Sequence, residues 1–239
     1  MDYENTTIAD ITRENSRAAL VFKSYGIDFC CGGKKTLTSV CEENNIDKDV
    51  LIMELKEKHA TTFNSPNYND WELDFLSDYI VEIHHGYIRK AIPEIQPFFD
   101  KVLRKHGPTH PELQHLFDLF EQLKKDLLQH MEKEETILFP YIKQMVEAKR
   151  KNATFNAPPF QTIQNPLRVM EMEHENAGNV TKQMRKIAND YNPPTDACNT
   201  FRLVYSLLND FEDNLYTHIF LENNILFPKS LEIEKYLIG

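Results

Sequence analysis

One sequence pattern occurs twice in this chain: residues 130–140 read HMEKEETILFP, and residues 218–228 read HIFLENNILFP. Each copy has a histidine, a glutamate four positions later and then Ile-Leu-Phe-Pro. The copies begin at positions 130 and 218, a separation that two long helices and their connections would fill. The repeat therefore predicts two equivalent helical hairpins, in which Pro140 and Pro228 end or kink matching helices.

The rest of the chain has the composition and periodicity of an all-α protein. It contains 7 glycines in 239 residues and lacks long alternating runs of Val, Ile and Thr, while apolar residues recur at steps of three and four. Four long helices are expected, separated by short connections, at roughly 70–105, 111–150, 166–191 and 196–235. Because short connections favour antiparallel neighbours, the sequence predicts an up-down four-helix bundle.

The first 60 residues predict a separate small helical domain. Gly26 is a suitable C-cap for one short helix, and Asp47 is a suitable N-cap for another. A polar stretch at 60–67 follows, and it is the expected boundary between a small domain at 1–60 and a bundle at 70–239.

Histidines and glutamates interrupt the apolar faces of the long helices. The apolar steps of three and four residues continue onto His130 and Glu134 in the second helix, and onto His218 and Glu222 in the fourth. The third helix places His174 on its apolar seam in the same way. These five polar side chains are therefore predicted to point into the bundle.

The first helix offers two adjacent histidines, His84 and His85, which lie about 100° apart around a helix axis. The seam through His85 continues through apolar residues, whereas the seam through His84 includes the charged Glu94. His85 is therefore the predicted inward residue.

Six inward side chains then come from four helices: His85, His130, His174, His218, Glu134 and Glu222. The histidines are 45, 44 and 44 residues apart, as expected if each helix contributes one at a common level. Imidazole and carboxylate suit first-row transition metals, and residues four apart share a helix face. Because a lone zinc ion normally takes four ligands, six ligands predict a binuclear metal site.

A purely structural explanation competes with this hypothesis, since an isolated His-x-x-x-Glu is typical of a surface pair. Two copies on core seams, with two further seam histidines, would leave several buried polar groups without partners. Each such group costs about 1–3 kcal/mol. The pattern therefore favours the metal site.

Several other residues have candidate roles. Cys30 and Cys31 lie near the start of a predicted helix and form a possible thiol site, with a structural turn as the alternative. His84 and Glu173 flank the predicted ligands and are candidates for hydrogen bonds that orient them, with a solvated helix face as the alternative.

The remaining cysteines and histidines are expected to have ordinary roles. Cys41 and Cys198 are predicted to fill the core. Three histidines in or near a proline-containing connection are predicted to be solvated: His106, His110 and His115.

Charge and hydropathy exclude several classes of function. The net charge of −10 argues against nucleic-acid and anionic-membrane partners, which need clustered Lys and Arg. No segment has the length and apolar character of a membrane span, and the N-terminus lacks the plan of a signal peptide. We therefore expect a cytoplasmic protein, and the 41% apolar content is enough for a real core.

Two separate motifs resemble the RIC family, the YtfE/ScdA-type di-iron proteins for repair of iron centres. Residues 25–33, YGIDFCCGG, resemble the leading domain of that family. Residues 169–174, VMEMEH, and the two His-x-x-x-Glu-x-x-Ile-Leu-Phe-Pro runs resemble its hemerythrin-like bundle. The resemblance covers essentially the whole chain.

The resemblance implies a cytoplasmic protein that restores iron–sulfur clusters damaged by nitric oxide or oxidants, as an iron donor rather than a conventional catalyst. It implies two non-haem iron ions, held by the four histidines and bridged by Glu134 and Glu222. It also matches Cys30 and Cys31 to the paired cysteines of the leading domain, and Glu173 to an acidic residue beside a ligand.

Two alternatives remain for the function. One is a hemerythrin-like protein that binds or senses O2 or NO, and the other is a di-iron enzyme that reduces NO. Iron and manganese are not distinguished by the ligand types. Damaged iron–sulfur proteins are the expected partners, and a homodimer through the small domain is expected as well.

Overall fold

The computed structural model describes residues 2–30, 32–60, 66–155 and 158–238. Within these ranges the secondary structure is helical, and no residue belongs to a strand beyond an isolated antiparallel bridge between Thr7 and Thr36. The all-α prediction is confirmed. Within the same ranges, no helix combines the length and apolar character needed to cross a bilayer.

Four short helices form the N-terminal part: α1 (Ile8–Glu14), α2 (Ala18–Ser24), α3 (Leu37–Asn44) and α4 (Lys48–Ala60). The hydroxyl oxygens of Thr7 and Thr36 accept backbone hydrogen bonds from the first turns of α1 and α3. After α2, Gly26 adopts a φ of +67°, a conformation that favours glycine over other residues. The chain can therefore reverse there toward the Cys30 loop.

Four long helices follow a single 3-10 turn at Tyr68–Asp70. Three of them contain a π-helical turn between two α-helical parts. The parts are Leu73–Tyr79, Ile80–His85 and Gly86–His106 in α5; Glu112–Lys133, Glu134–Leu138 and Phe139–Lys151 in α6; and Asn199–Leu221, Glu222–Leu226 and Phe227–Ile238 in α8. The third long helix, α7, runs over Gln164–Ile187.

Neither Pro140 nor Pro228 ends its helix, which corrects one of the two alternatives predicted from the repeat. The π turns explain the difference. The N–H of Phe139 donates to the carbonyl of Glu134, and the N–H of Phe227 donates to the carbonyl of Glu222, each over five residues. A widened turn already departs from the regular α-helical ladder, so a proline directly after it does less damage than in a regular helix.

The long helices form an up-down bundle, and each one contacts at least two others. α5 packs against α6 and α8, and α7 packs against α6 and α8. One level of the core is a cluster of buried phenylalanines, with the ring centroid of Phe120 lying 6.0 Å from that of Phe99 and 5.8 Å from that of Phe211. Such rings bury a large apolar area and stabilise the contact between α5, α6 and α8.

The N-terminal part packs on α7 and α8. The Phe29 ring contacts the rings of Tyr216 and Phe220 at centroid distances of 6.2 and 6.1 Å. Lys182 of α7 lies 2.7 Å from the carboxylate of Asp28. The Cys30 loop is thereby held against the end of the bundle that contains the predicted metal ligands.

The phenylalanine cluster gives a test of the core. Phe120→Ala is expected to lower the free energy of unfolding by about 3–5 kcal/mol, because it removes a fully buried ring and leaves a cavity. Phe98→Ala is the matched control, since Phe98 is 36% exposed, and its cost is expected to be about 1 kcal/mol. Urea unfolding followed by circular dichroism measures both. Equal losses for the two variants would contradict this packing.

Candidate metal centre

The structure brings the six predicted ligands together at one level of the bundle. Each of the six is at most 2% exposed: His85, His130, His174, His218, Glu134 and Glu222. α5, α6, α7 and α8 contribute one histidine each, and α6 and α8 also contribute one glutamate each.

In each helix that contains a π turn, the turn lies at the level of these six side chains. The turn in α5 ends at His85, and those in α6 and α8 begin at Glu134 and Glu222. A π turn adds one residue to the helix and changes the direction of the side chains around it, which is why such turns are frequent at functional sites. Local backbone geometry thus helps to aim three of the ligands.

The six side chains form two overlapping groups whose possible ligand atoms lie within 4.8 Å of one another. One group contains His130, His174, His218 and Glu222, and the other contains His85, Glu134, His218 and Glu222. His218 and Glu222 belong to both groups.

The histidine Nε2 atoms face each other. His130 Nε2 lies 2.9 Å from His174 Nε2, and His85 Nε2 lies 3.2 Å from His218 Nε2. Neutral imidazoles that turn Nε2 toward a common point have the orientation used for metal ligation.

The carboxylates lie between these imidazoles. Glu134 has one oxygen 3.3 Å from His130 Nε2 and the other 3.4 Å from His85 Nε2. Glu222 has one oxygen 3.0 Å from His218 Nε2 and the other 3.1 Å from His174 Nε2. Each carboxylate therefore connects histidines of different helices.

None of the four carboxylate oxygens has a hydrogen bond of good geometry, although all are buried. Leaving a buried carboxylate without hydrogen bonds is costly, and the cost is avoided when the oxygens coordinate a cation. The donor set of imidazoles and carboxylates suits first-row transition metals. The residues therefore fit a metal centre by charge, burial and donor type.

Three of the four histidines are oriented through their second ring nitrogen. His85 Nδ1 lies 2.7 Å from Glu135 Oε1, and His174 Nδ1 lies 2.8 Å from Asn223 Oδ1. His130 Nδ1 lies 2.9 Å from Glu173 Oε2, the position predicted for Glu173 as a neighbour of a ligand. Such contacts fix the ring and the tautomer of a metal-binding histidine.

Two of these orienting residues, Glu135 and Asn223, are not predicted from the sequence. Each follows directly after a predicted carboxylate ligand, and that position is the signal that could have found them. Charged side chains hold the orienting carboxylates in turn, since Arg89 lies 2.8 Å from Glu135 and Lys133 pairs with Glu173.

His84 is buried beside the centre but belongs to neither group of ligand atoms. Its Nδ1 lies 3.3 Å from Asn214 Oδ1, its Nε2 has no hydrogen-bond partner, and its ring stacks on His218 at 6.2 Å. The structure therefore places His85, rather than His84, among the converging ligand atoms. His84 contacts a ligand through its ring face and does not orient it by a hydrogen bond.

Burial and charge shift the pKa values of the centre in opposite directions. Burial alone would lower the pKa of His130 and His218, but the neighbouring carboxylates raise these values to about 10 and about 9. Burial and the repulsion from Glu134 would raise the pKa of Glu222, but His218 and His174 lower it to about 2. For His84, burial dominates and lowers its pKa to about 4. Without a cation, the carboxylates therefore keep protons on His130 and His218.

The Cys30 loop contacts the centre through two asparagines. The Cys30 carbonyl accepts hydrogen bonds from the side-chain amides of Asn223 and Asn224, at 3.4 and 3.2 Å. Because Asn223 also contacts His174, one residue connects the loop to a predicted ligand. A cavity of about 430 Å³ lies beside the loop and is lined in part by Cys30 and Asn223. Cys31 lies outside the described residues.

The remaining cysteines and histidines differ partly from prediction. Cys41 is buried in the N-terminal core, as expected. Cys198 is partly exposed at the start of α8, so it does not fill the core. His106 is buried rather than solvated, because it packs between Cys198 and the Phe201 ring.

Comparison with known families gives two matches along the chain. Residues 77–230 match the hemerythrin HHE cation binding domain. Residues 4–59 match ScdA_N, a domain of unknown function, DUF542. The first match covers more than half of the chain and includes all six converging residues.

Whole-chain relatives give a consistent result. The iron-sulfur cluster repair proteins YtfE of Yersinia pestis (strain Pestoides F) and of Yersinia pseudotuberculosis serotype O:1b (strain IP 31758) are each 34% identical over 236 residues. Each alignment covers 98% of this chain and 100% of the relative. The chain therefore belongs to the YtfE/ScdA family of hemerythrin-like proteins, the RIC family that its two motifs resemble.

Proposed function

We propose that this protein repairs iron–sulfur clusters damaged by nitrosative or oxidative stress, and that it does so by donating iron from a di-iron centre. The observation that carries this proposal is the pair of overlapping ligand groups around Glu134 and Glu222. The names of the YtfE relatives support the choice of iron–sulfur clusters as the target. The clients would be the proteins that hold such clusters.

The six converging side chains would hold the two ions. His85, His130, His174 and His218 would be terminal ligands, and the two carboxylates would bridge, since each already lies between histidines of different helices. Bound iron would supply both the cargo for repair and an affinity for NO or O2.

In iron donation, the role of the residues around the ligands would be to control the orientation of the ligand side chains. Glu135, Glu173 and Asn223 hold three imidazoles in place, while His218 Nδ1 is buried without a hydrogen-bond partner. Only one ligand histidine thus lacks an orienting bond among the described residues. The His218 ring is therefore held by packing and not by a hydrogen bond at its second ring nitrogen.

The Cys30 loop is proposed to be the element that links the centre to its client. Asn223 forms hydrogen bonds with both the Cys30 carbonyl of the loop and His174. A displacement of the loop would therefore change the hydrogen bonding of a predicted ligand. Cys30 Sγ lies 3.4 Å from Asp28 Oδ1 at the edge of the cavity. A thiol in this position is suited to receive a soft metal ion.

Reversible binding of O2 or NO is the second candidate function. Six protein ligands, two of them bridging, do not complete the coordination of two six-coordinate ions, so small ligands would have open positions. Steady consumption of NO with a reductant would indicate the third candidate, a di-iron NO-reducing enzyme.

Cytoplasmic location and a homodimer through residues 1–60 stay predictions. Sedimentation of the purified protein would test the homodimer.

Substitution of the paired histidines tests the ligand assignment. His85→Ala is expected to lower the bound iron to less than half, whereas His84→Ala should retain most of it, because only His85 presents Nε2 to the other ligands. His115→Ala is the matched control, since His115 is exposed on the same helix as His130. Iron analysis and the visible absorption spectrum measure the result. The assignment is falsified if His84→Ala alone empties the centre.

Metal binding is expected to release protons. At pH 7 the metal-free protein keeps protons on His130 and His218, whose pKa values lie at about 10 and about 9. Because only neutral imidazole binds a metal ion, uptake of Fe(II) should release about two protons per centre, and affinity should fall as the pH is lowered. Anaerobic titration in a weakly buffered indicator solution measures this release. Uptake without proton release would contradict the proposed pairing of charges.

Repair itself is tested with a nitrosylated iron–sulfur enzyme. The iron-loaded protein is expected to restore more activity than an equal amount of free iron, and Cys30→Ser is expected to reduce that restoration severalfold while iron content stays unchanged. Cys198→Ser is the control, because Cys198 lies at the far end of the bundle. Recovery no greater than that given by free iron would refute donation, and full repair by Cys30→Ser would favour an O2 or NO carrier.

A further inference from the structure

A second reactive group lies at the other end of the bundle from the metal centre. Cys198 Sγ lies 3.2 Å from His106 Nε2, at the contact between the end of α5 and the start of α8. His106 follows His85 by 21 residues in α5, which corresponds to about 30 Å along the helix axis. This thiol–imidazole pair therefore cannot act as part of the centre.

The pair is built into the fold. His106 is 8% exposed and packs on the Phe201 ring at a centroid distance of 5.3 Å, which fixes the imidazole next to the thiol. Cys198 is the N-cap residue of α8, next to the helix N–H groups of the first turn, which have no partner within the helix. Cys198 itself stays partly exposed.

These neighbours stabilise the thiolate. The backbone N–H of Phe201 and the imidazole of His106 lower the pKa of the Cys198 thiol to about 7, against the opposing effect of burial. Cys41 has the opposite environment, because burial raises the pKa of its thiol. The chain thus contains its own unreactive reference cysteine.

A cavity of about 270 Å³ opens beside the pair and is lined by Lys101 and Lys105 of α5. Nearby, His110 lies between the acidic side chains of Glu112 and Asp196, at 3.0 and 3.1 Å. The cavity therefore presents two ammonium groups to a ligand, in a chain whose net charge is −10. A small anionic ligand that contains an electrophilic sulfur atom would match both the two ammonium groups and the Cys198 thiolate.

We propose that Cys198 and His106 form a thiol–disulfide exchange site for anionic low-molecular-weight disulfides, which bind in the cavity between α5 and α8. The Cys198 thiolate attacks one sulfur of the disulfide, and the S–S bond of the ligand breaks as the new S–S bond forms. The second half leaves as a thiolate and takes up the proton that Cys198 released. Cys198 is oxidised to a mixed disulfide and the leaving half is reduced to a thiol, so no other reductant or oxidant is needed.

The first test measures reactivity against pH. Carboxamidomethylation of the full-length protein by iodoacetamide, followed peptide by peptide by mass spectrometry, is expected to give a midpoint of about 7 at Cys198. An unperturbed thiol has a midpoint of about 8.5. Cys41 should react at least tenfold more slowly in the folded protein. A Cys198 midpoint near 8.5, or a Cys198 rate no greater than that of Cys41, would overturn the proposal.

The second test uses two disulfides of different charge. Oxidised glutathione is expected to glutathionylate Cys198, and Lys101→Gln/Lys105→Gln should slow that reaction at least threefold while leaving the reaction with neutral bis(2-hydroxyethyl) disulfide unchanged. His106→Leu should slow both reactions at pH 7 by a similar factor. If the lysine substitutions affect both disulfides equally or neither, selectivity for anions is refuted. If His106→Leu fails to fold, the pH profile of the unsubstituted protein still decides the reactivity.

Discussion

The central constraint in this protein is the burial of two carboxylates, Glu134 and Glu222, among four imidazoles in the core of a helical bundle. Burying one ionised carboxylate without compensation is costly, and burying two at close range adds repulsion between them. Protons on His130 and His218 compensate in the metal-free protein, and cations would replace those protons. The charge balance of the core, and not only its apolar packing, therefore depends on these six residues.

The rest of the bundle is organised around this charge balance. The apolar seams of α5, α6, α7 and α8 continue above and below the polar level, and the phenylalanine cluster closes the core on one side. Carboxylate and amide side chains surround the ligands, and cationic side chains hold the carboxylates in turn. The N-terminal part packs at the same end and contributes the Cys30 carbonyl. Polar groups of decreasing burial thus connect the centre with solvent.

Much of this arrangement is predictable from the sequence because helical periodicity fixes which side chains share a face. Seam analysis alone selects His85 over His84 and finds all six converging residues, although their role as ligands stays a prediction. The π turns are not predictable in this way, since one extra residue barely changes the period of a short segment. Glu135 and Asn223 lie off the seams, and the contact between His106 and Cys198 joins residues that are 92 positions apart. Such features depend on how helices meet rather than on one helix alone.

The three π turns have a consequence for how this protein tolerates change. Each adds one residue at the metal level, so the helical parts on either side are related by a fixed residue count. Deleting a single residue within such a turn would restore a regular α-helical turn and leave the part beyond it on nearly the same face, because the wider turn absorbs the extra residue, and the side chains at the metal level would change direction instead. In α8 the part beyond the turn carries the buried residues Phe227, Ser230 and Ile233. The centre should therefore be far more sensitive to a change in chain length at these turns than to conservative replacement of the residues within them.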